Sequence, residues 1–359
     1  MGHFMPFTRR HWIQTAAAGV VAAPLTGWAD TRRAPIKVGQ IGVGHAHATK
    51  LSVYRASVDY EVVGIVEPDD QLWSQTQTQP AFAGLRRLQR EELLSEPGLQ
   101  AVLVETRVRD LLANAKVCVE AGLHVHIDKP AGESLADLQA IFDTATRKQL
   151  LVQMGYMYRY NPGIVLLREF LKNGWLGELF ELHTVMSKVV GPADRQALAE
   201  YPGGSMFELG CHIIDLVVAI LGAPERVQAF PRHSASANDS LLDNMLAVFE
   251  YPKATATVRS SVVEIDGGAR RHLTLCGTGG TFHLQPLDQP VAKITLAKPC
   301  GKYKAGVTEV SFPKYVRYVE DARDMAQVIR GEKPSDYSPG HDLAVQRSVL
   351  QACGLKTEQ

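Results

Sequence analysis

Ile36-Lys37-Val38-Gly39-Gln40-Ile41-Gly42-Val43-Gly44-His45-Ala46-His47 is the stretch that decides the fold. A run of strand length, Ile36 to Ile41, ends on Gly42-Val43-Gly44 and opens into a helix through Ala48-Thr49-Lys50-Leu51. A glycine turn between a strand and a helix is the context that a dinucleotide fingerprint requires. The first glycine makes the tight turn, and the second lets the backbone approach a pyrophosphate resting on the helix N-terminus. His47 stands where the third glycine of the full pattern belongs. Glu67, an acid ending the second strand roughly 20–25 residues on, is positioned to bind ribose hydroxyls. Its carboxylate repels a 2′-phosphate, so NAD is expected over NADP.

The same texture continues outward. Tyr60 to Val66, Ala101 to Val104, Leu123 to Ile127 and Leu150 to Met154 are near-continuous apolar runs, as in strands buried on both faces of a parallel sheet. Helical patterns separate them, one closing at Gly122. The expected class is α/β, a doubly wound parallel sheet. Lys129, in His126-Ile127-Asp128-Lys129-Pro130, follows one of these strands. A lysine there reaches a ligand over the carboxyl end of the sheet, where open α/β sheets bind ligands. After Asn161-Pro162 a helix, a strand and a Pro/Gly-bearing loop (191–204) lead to a long helix, Ser205 to Leu221. Strands then recur without intervening helices, which predicts a large open, mainly antiparallel sheet. Two closing helices, near Val316–Arg330 and Leu343–Cys353, are expected to fold back on the first half. The expected domains are 35–155, 156–312 and 313–359.

Lysine plus arginine and aspartate plus glutamate balance at 38 each, so no basic surface suggests nucleic acid. The five cysteines contain no CxxC pair and read as small packing residues. Thr8-Arg9-Arg10-His11-Trp12-Ile13, the apolar stretch Ala16–Leu25 and Gly27-Trp28-Ala29 match a twin-arginine signal over residues 1–30. The stretch is too short and interrupted to span a bilayer, so a periplasmic protein without stable membrane insertion is expected. His45 and His47, and His124, His126 and Asp128, invite a metal reading. Neither set has a full ligand count at local spacing, and no metal is expected.

In the helix Ser205–Leu221, Glu208, His212 and Asp215 fall at i, i+4 and i+7, one stripe on an otherwise apolar helix. Three ionisable groups there are costly unless they line a wet site. An imidazole flanked by carboxylates suits a general base. A competing reading stays open for Glu208, because Ser205-Met206-Phe207-Glu208 also matches a capping box.

With these motifs in order, the chain resembles the Gfo/Idh/MocA oxidoreductases. The matches are Gly42-Val43-Gly44, Asp128-Lys129-Pro130 in place of the usual Glu-Lys-Pro, Gly155-Tyr156-Met157-Tyr158-Arg159-Tyr160-Asn161-Pro162, and Gly203-Gly204-Ser205…Gly210-Cys211-His212-Ile213-Ile214-Asp215. The resemblance implies a Rossmann domain joined to an α+β domain whose open sheet carries substrate and oligomer contacts, as in a homodimer or homotetramer. It implies a lysine–acid–histidine site acting on sugars, polyols or related compounds. Lys129 matches the family lysine near substrate and nicotinamide, and His212 the catalytic histidine. Glu208 falls where many members have aspartate, and Asp215 matches a substrate-side acid. Two departures stand out: His47 for the third glycine, and Glu105-Thr106-Arg107-Val108-Arg109-Asp110 without the usual Thr-Pro-Asn and later histidine.

The expected function is NAD-dependent oxidation of a carbohydrate hydroxyl, or reduction of the matching ketone. His212 takes the proton, Lys129 stabilises the alkoxide, and Asp215 and Glu208 hold His212 and the sugar. Gly42, Gly44, His45, Ala46, Glu67, Thr106 and Lys129 are the expected cofactor contacts, with Tyr158 and Arg159 lining the substrate pocket. Free NAD is scarce outside the cytoplasm, so the cofactor is expected to be tightly held. Glycoside cleavage by transient oxidation, elimination and re-reduction is the second reading, and a non-catalytic periplasmic sugar-binding protein the third.

Overall fold

The computed structural model describes residues 33–357, and the twin-arginine segment lies outside them. Pro35–Gln359 forms one compact unit. Its first part alternates strand and helix: β1 (Ile36–Ile41), α1 (Leu51–Ala56), β2 (Tyr60–Val66), α2 (Asp70–Thr76), β3 (Arg87–Leu88), α3 (Arg90–Leu94), β4 (Leu99–Val104), α4 (Val108–Glu120), β5 (His124–Ile127), α5 (Leu135–Arg147) and β6 (Val152–Met154). A short 3₁₀ turn, Ala48–Lys50, precedes α1. The six strands pair in parallel in the order β3-β2-β1-β4-β5-β6. Chain order reverses on either side of β1, so the crevice between the carboxyl ends of β1 and β4 is the topological switch point where such sheets bind ligands. Val102, Leu103, Val125 and Ile127 are all fully buried, which is why these strands read as unbroken apolar runs.

The second part holds α6 (Pro162–Lys172), β7 (Leu179–Ser187), α7 (Pro192–Leu198), a π turn (Met206–Gly210), α8 (Cys211–Leu221), β8 (Arg226–Arg232), β9 (Asn244–Glu250), β10 (Thr255–Ser261), β11 (His272–Gly277), β12 (Gly280–Leu284), β13 (Val291–Leu296) and β14 (Gly306–Ser311). Eight strands form one sheet, β14-β13-β12-β11-β7-β10-β9-β8. Only β7 and β10 run parallel; every other pairing is antiparallel. Along β13, Ala292, Ile294 and Leu296 are buried while Val291, Lys293 and Thr295 are exposed, the alternation of a sheet with one covered face. The chain closes with α9 (Val319–Ile329) and α10 (Pro339–Ala352).

Several elements differ from the reading of the sequence. The stretch expected as a loop, 191–204, contains α7, begun by Pro192 at its first position. β14 and the two-residue β3 were not expected; both are edge strands with little apolar signal. The long helix Ser205–Leu221 is divided, its first turn bonded i→i+5 as a π turn. Gly204 (φ +51°) admits the chain to that turn: a Cβ there would meet the Leu242 carbonyl oxygen at 2.3 Å.

The closing helices have different partners. Ala322, Met325 and Ala326 of α9 join the cluster of Ile36, Val38, Leu51 and Tyr54 under the first sheet. On α10, the Gln346 side chain takes the Ala131 amide at 3.2 Å, just past Lys129 and Pro130. Met325→Ala should therefore destabilise the whole chain by about 2–5 kcal/mol, the usual range for truncating a buried methionine. A urea midpoint within error of the parent chain would show that α9 is peripheral.

Candidate functional site

The glycine loop sits at the switch point. Gly42 has φ +87°, and a Cβ on it would lie 2.7 Å from Thr106 N, Cα and Cγ2, so only glycine fits. The amides of Gly42 and His45 bond to the Val66 and Glu105 carbonyls, while those of Gly44 and Ala46 have no protein partner among the described residues. Unpaired amides at a strand-to-helix turn suit a pyrophosphate. The crevice here, about 540 Å³, is lined by Gly42, Gly44, Glu67, Leu72, Arg90 and Thr106 among others. Glu67 is less free than the sequence implied: its Oε2 accepts the Val43 amide at 2.9 Å and its Oε1 the Asp69 amide at 3.0 Å. A carboxylate has about four acceptor sites, so it braces the loop and retains capacity for ribose hydroxyls. His45 is a correction. Its amide is occupied, and its buried ring turns inward, Nε2–H donating to the Lys129 carbonyl at 3.0 Å.

Beneath the loop lies a buried polar cluster that reading the sequence did not assemble. Lys50, whose side chain is fully buried, donates to Asp128 Oδ2 at 2.6 Å and to His126 Nε2 at 2.9 Å. His126 Nδ1 in turn meets Gln153 Oε1 at 2.9 Å. Burial works against the Lys50 charge, but Asp128 and Glu105 outweigh it and hold its pKa above the ordinary lysine value. Burial also opposes ionisation of Asp128, yet His45, Lys50 and His47 hold it well below the carboxylate range. Burial drives Glu105 well up, with Lys50 opposing the rise and Asp128 adding to it. Lys50 Nζ is 3.0 Å from Glu105 Oε1, but neither Glu105 oxygen has a well-aligned hydrogen bond. The only hint in the sequence was a lysine one residue before an apolar helix. Three sets of acids and histidines among the described residues cluster closely enough to hold a cation: His45/His47/Asp128, Glu105/His126/Asp128 and Asp215/His341/Asp342. The Lys50 ammonium already serves the first two and the Arg159 guanidinium the third, so none is read as a metal centre.

Lys129, leaving β5, reaches across to the π turn. Its Nζ donates to Glu208 Oε1 at 2.7 Å and to the Glu208 carbonyl at 2.9 Å, one turn before His212. Burial disfavours the ammonium, but Glu208 more than offsets it and the Lys129 pKa rises; reciprocally, Lys129 keeps Glu208 below its usual value despite burial. The capping-box reading of Glu208 is corrected: Ser205 makes no cap, and its hydroxyl bonds the Ser260 carbonyl instead. Burial, then the nearby Lys129 and His47, hold His212 well below the usual histidine range, so it is neutral.

The flanked imidazole is also corrected. Glu208 is taken by Lys129, because i→i+5 bonding shifts it off the α-helical stripe. Asp215 is taken by Arg159, whose Nη2 is 2.7 Å from Asp215 Oδ1 and also pairs with Asp342. His341 Nε2 adds a contact to Asp215 at 3.1 Å. Among the described residues no carboxylate is hydrogen-bonded to His212; its Nδ1 accepts the Met157 amide at 3.4 Å. A neutral ring bonded in that way carries its proton on Nε2 and presents a donor, not a base. Arg159 does not line an open pocket. It is 2% exposed and sandwiched by Tyr337 and Tyr156 at 3.9 and 4.9 Å from their ring centres. Tyr158 is buried with its ring 6.1 Å from His212, its hydroxyl donating to Asp288 at 2.8 Å. Two residues absent from the expected set complete the surroundings, His47, with its ring 5.5 Å from His212, and Tyr318, 5.7 Å from His47.

The glycine-turn crevice lies at the switch point of the parallel sheet, and the His47 ring on that loop lies 5.5 Å from the His212 ring. The chain matches the NAD-binding Rossmann oxidoreductase family over residues 36–156 and the GFO/IDH/MocA C-terminal domain over residues 164–283, together well over half its length. It belongs to the Gfo/Idh/MocA oxidoreductase family. It is 24% identical over 164 residues to trans-1,2-dihydrobenzene-1,2-diol dehydrogenase from Sus scrofa, covering 45% of this chain and 48% of that one. The chain spans about half the length of the curated relatives it matches. Among solved structures, UDP-N-acetylglucosamine 3-dehydrogenase GnnA from Acidithiobacillus ferrooxidans shares the fold at TM-score 0.73, with 20% identity, covering 89% of this chain and 96% of that one. GenD2 from gentamicin A biosynthesis, in complex with NAD, has TM-score 0.74 and 20% identity, covering 89% of this chain and 94% of that one.

Arg159 holds two buried carboxylates, so Arg159→Met leaves them unpaired and should cost about 3–5 kcal/mol. Thermal unfolding at neutral pH measures this. An unchanged midpoint would mean the cluster is solvated and Arg159 dispensable.

Proposed function

We propose that the protein oxidises a hydroxyl of a sugar, polyol or related carbohydrate with NAD, or reduces the corresponding ketone. One observation carries the reading: Lys129, from the carboxyl end of the parallel sheet, is bonded to Glu208 on the π turn that leads into α8, and the His212 ring of α8 lies 5.5 Å from His47 in the glycine loop. The residues present fit a dinucleotide, given the glycine-only turn and the two unpartnered amides. When bound, the nicotinamide supplies a hydride acceptor or donor. Lys129, held charged by Glu208, stabilises negative charge developing on the substrate oxygen. A preorganised donor of this kind contributes on the order of 3–4 kcal/mol to barrier lowering. His212 donates a second hydrogen bond to that oxygen through Nε2–H. Glu67, at the far end of the crevice, favours NAD, because a 2′-phosphate beside its carboxylate is repelled.

The twin-arginine segment supports export of the folded, cofactor-loaded protein to the periplasm, with the dinucleotide retained through each turnover. The uncovered face of the eight-stranded sheet, which carries His183, His272 and His283, supports self-association into a dimer or tetramer.

The test starts from native protein denatured and its released ligand weighed by mass spectrometry, where NAD is expected. A panel of sugars and polyols is then scored for nicotinamide reduction, with glycosides scored for release of free sugar. Lys129→Ala should lower turnover about 10²–10³-fold; because it leaves the Glu208 carboxylate unpaired, thermal unfolding is measured alongside and the loss is scored on folded protein. Release of sugar without net reduction would replace oxidoreduction by cleavage. Protein that neither carries nor binds NAD would remove the reading.

A further inference from the structure

The proposed chemistry needs an acceptor for the hydroxyl proton, and His212 presents a donor. Two departures from the family pattern, His47 for the third fingerprint glycine and Asp128 for the usual glutamate, touch each other. His47 Nδ1 lies 3.2 Å from Asp128 Oδ1. Asp128 is held from every side: Lys50 Nζ on Oδ2 at 2.6 Å, and its neighbour's amide, Lys129 N–H, on Oδ1 at 2.6 Å. An ionised carboxylate only accepts, so the proton of that contact belongs to His47 Nδ1. The ring's other nitrogen, Nε2, is then an acceptor, and it has no partner among the described residues. The His47 side chain is 17% exposed while His45, Lys50 and Asp128 behind it are sealed, so it is the member of this cluster that reaches the site.

We propose that His47, oriented by Asp128, is the general base of this enzyme, taking the substrate hydroxyl proton on Nε2 while Lys129 and His212 donate to the same oxygen. The step balances: the O–H and C–H bonds break, C=O forms, the hydride passes to the oxidised nicotinamide dinucleotide, and the proton resides on His47 before leaving to water. Asp128 stabilises the imidazolium that forms, as a buried carboxylate does behind any histidine base. The His47 and His212 rings lie 5.5 Å apart between centres and are tilted by 38°, which places the two imidazoles side by side.

The charged and titratable groups facing His47 are Asp128 and Lys129 after β5, His45 from its own loop, Glu208 of the π turn, His212 of α8 and Tyr318 before α9. Burial lowers the His47 pKa to about 4, with Asp128 opposing and Lys129 reinforcing, so the ring is neutral and ready to accept at physiological pH. Tyr318, held at φ +71°, packs on His47 and carries Lys50 Nζ 4.9 Å from its ring centre. A non-glycine residue in this region is held by its surroundings.

This inference rests on the oxidoreductase reading, and the experiment separates the two. Long-range ¹H–¹⁵N spectra of ring-labelled protein loaded with NAD, assigned with His47→Gly and His212→Gln, read each tautomer directly and need no substrate. The expected result is Nδ1–H at His47, lost in Asp128→Asn, and Nε2–H at His212. Nε2–H at His47 overturns the proposal whatever the turnover. His47→Gly restores the fingerprint glycine, so it should still bind NAD, as followed by titration calorimetry. On the sugar that the panel identifies it should lose about 10²–10⁴-fold in turnover, partly restored by added imidazole. His212→Gln, whose amide can still donate, should lose less. Wild-type protein that binds NAD but turns over no sugar fails the oxidoreductase reading and leaves the tautomer test to decide His47. Equal turnover in His47→Gly and wild type overturns the base assignment alone.

Discussion

One buried carboxylate organises the site. Asp128 accepts from Lys50 at the start of α1, from the Lys129 amide after β5, and from His47 in the glycine loop. Asp128 thereby ties the glycine loop and the turn after it, which carry His47 and Lys50, to the end of β5. A charge buried to this degree costs several kcal/mol to desolvate and is tolerated only when fully bonded. Asp128 meets that condition and is held low, while Glu105 beside it does not and is raised by burial. The ion pair with Lys50 is weak evidence for added stability, since apolar replacement of such pairs is often neutral. Its consequence is geometric: the Lys129 backbone, and with it the reach of the ammonium, cannot shift without breaking a short hydrogen bond.

Much of the fold was legible because the first sheet is buried on both faces. Strands β1 and β2 have the bounds that their apolar patterns predicted, and the turn from β1 into the glycines dictated the crevice. Legibility fails where an element is short or lies at an edge. Arg87–Leu88 and Gly306–Ser311 bury little and alternate weakly, and α7 hides inside a stretch rich in proline and glycine. Backbone pairing, not side-chain pattern, makes those elements.

The site was legible by residue and misread by partner. Lys129, Glu208 and His212 do converge, but the helical stripe assigned the wrong neighbours. Spacing of i, i+4 and i+7 assumes an unbroken α-helix, and the π turn over Met206–Gly210 breaks that assumption where Glu208 sits. Asp215 obeys the helical geometry, yet a buried guanidinium from the turn before α6 outcompetes an imidazole for its carboxylate. Such partners come from distant parts of the chain, and periodicity carries no information about them. Lys50 was missed for the same reason: its two carboxylates lie 55 and 78 residues away along the chain (Glu105 and Asp128), and only the sheet brings them together.

The electrostatics of the assembled site favour charge separation in one direction. Lys129 is paired with Glu208, while burial lowers the pKa of both His47 and His212 and leaves them neutral at physiological pH. A neutral pair of imidazoles adds no field of its own before reaction. In the proposed reaction, negative charge growing on the oxygen would meet the Lys129 ammonium and the His212 N–H, preorganised contacts that act more strongly away from bulk water. The proton released would move toward His47, which Asp128 backs. Replacing a fingerprint glycine by histidine sacrifices close packing at the helix start, and this arrangement supplies a physical reason for the exchange.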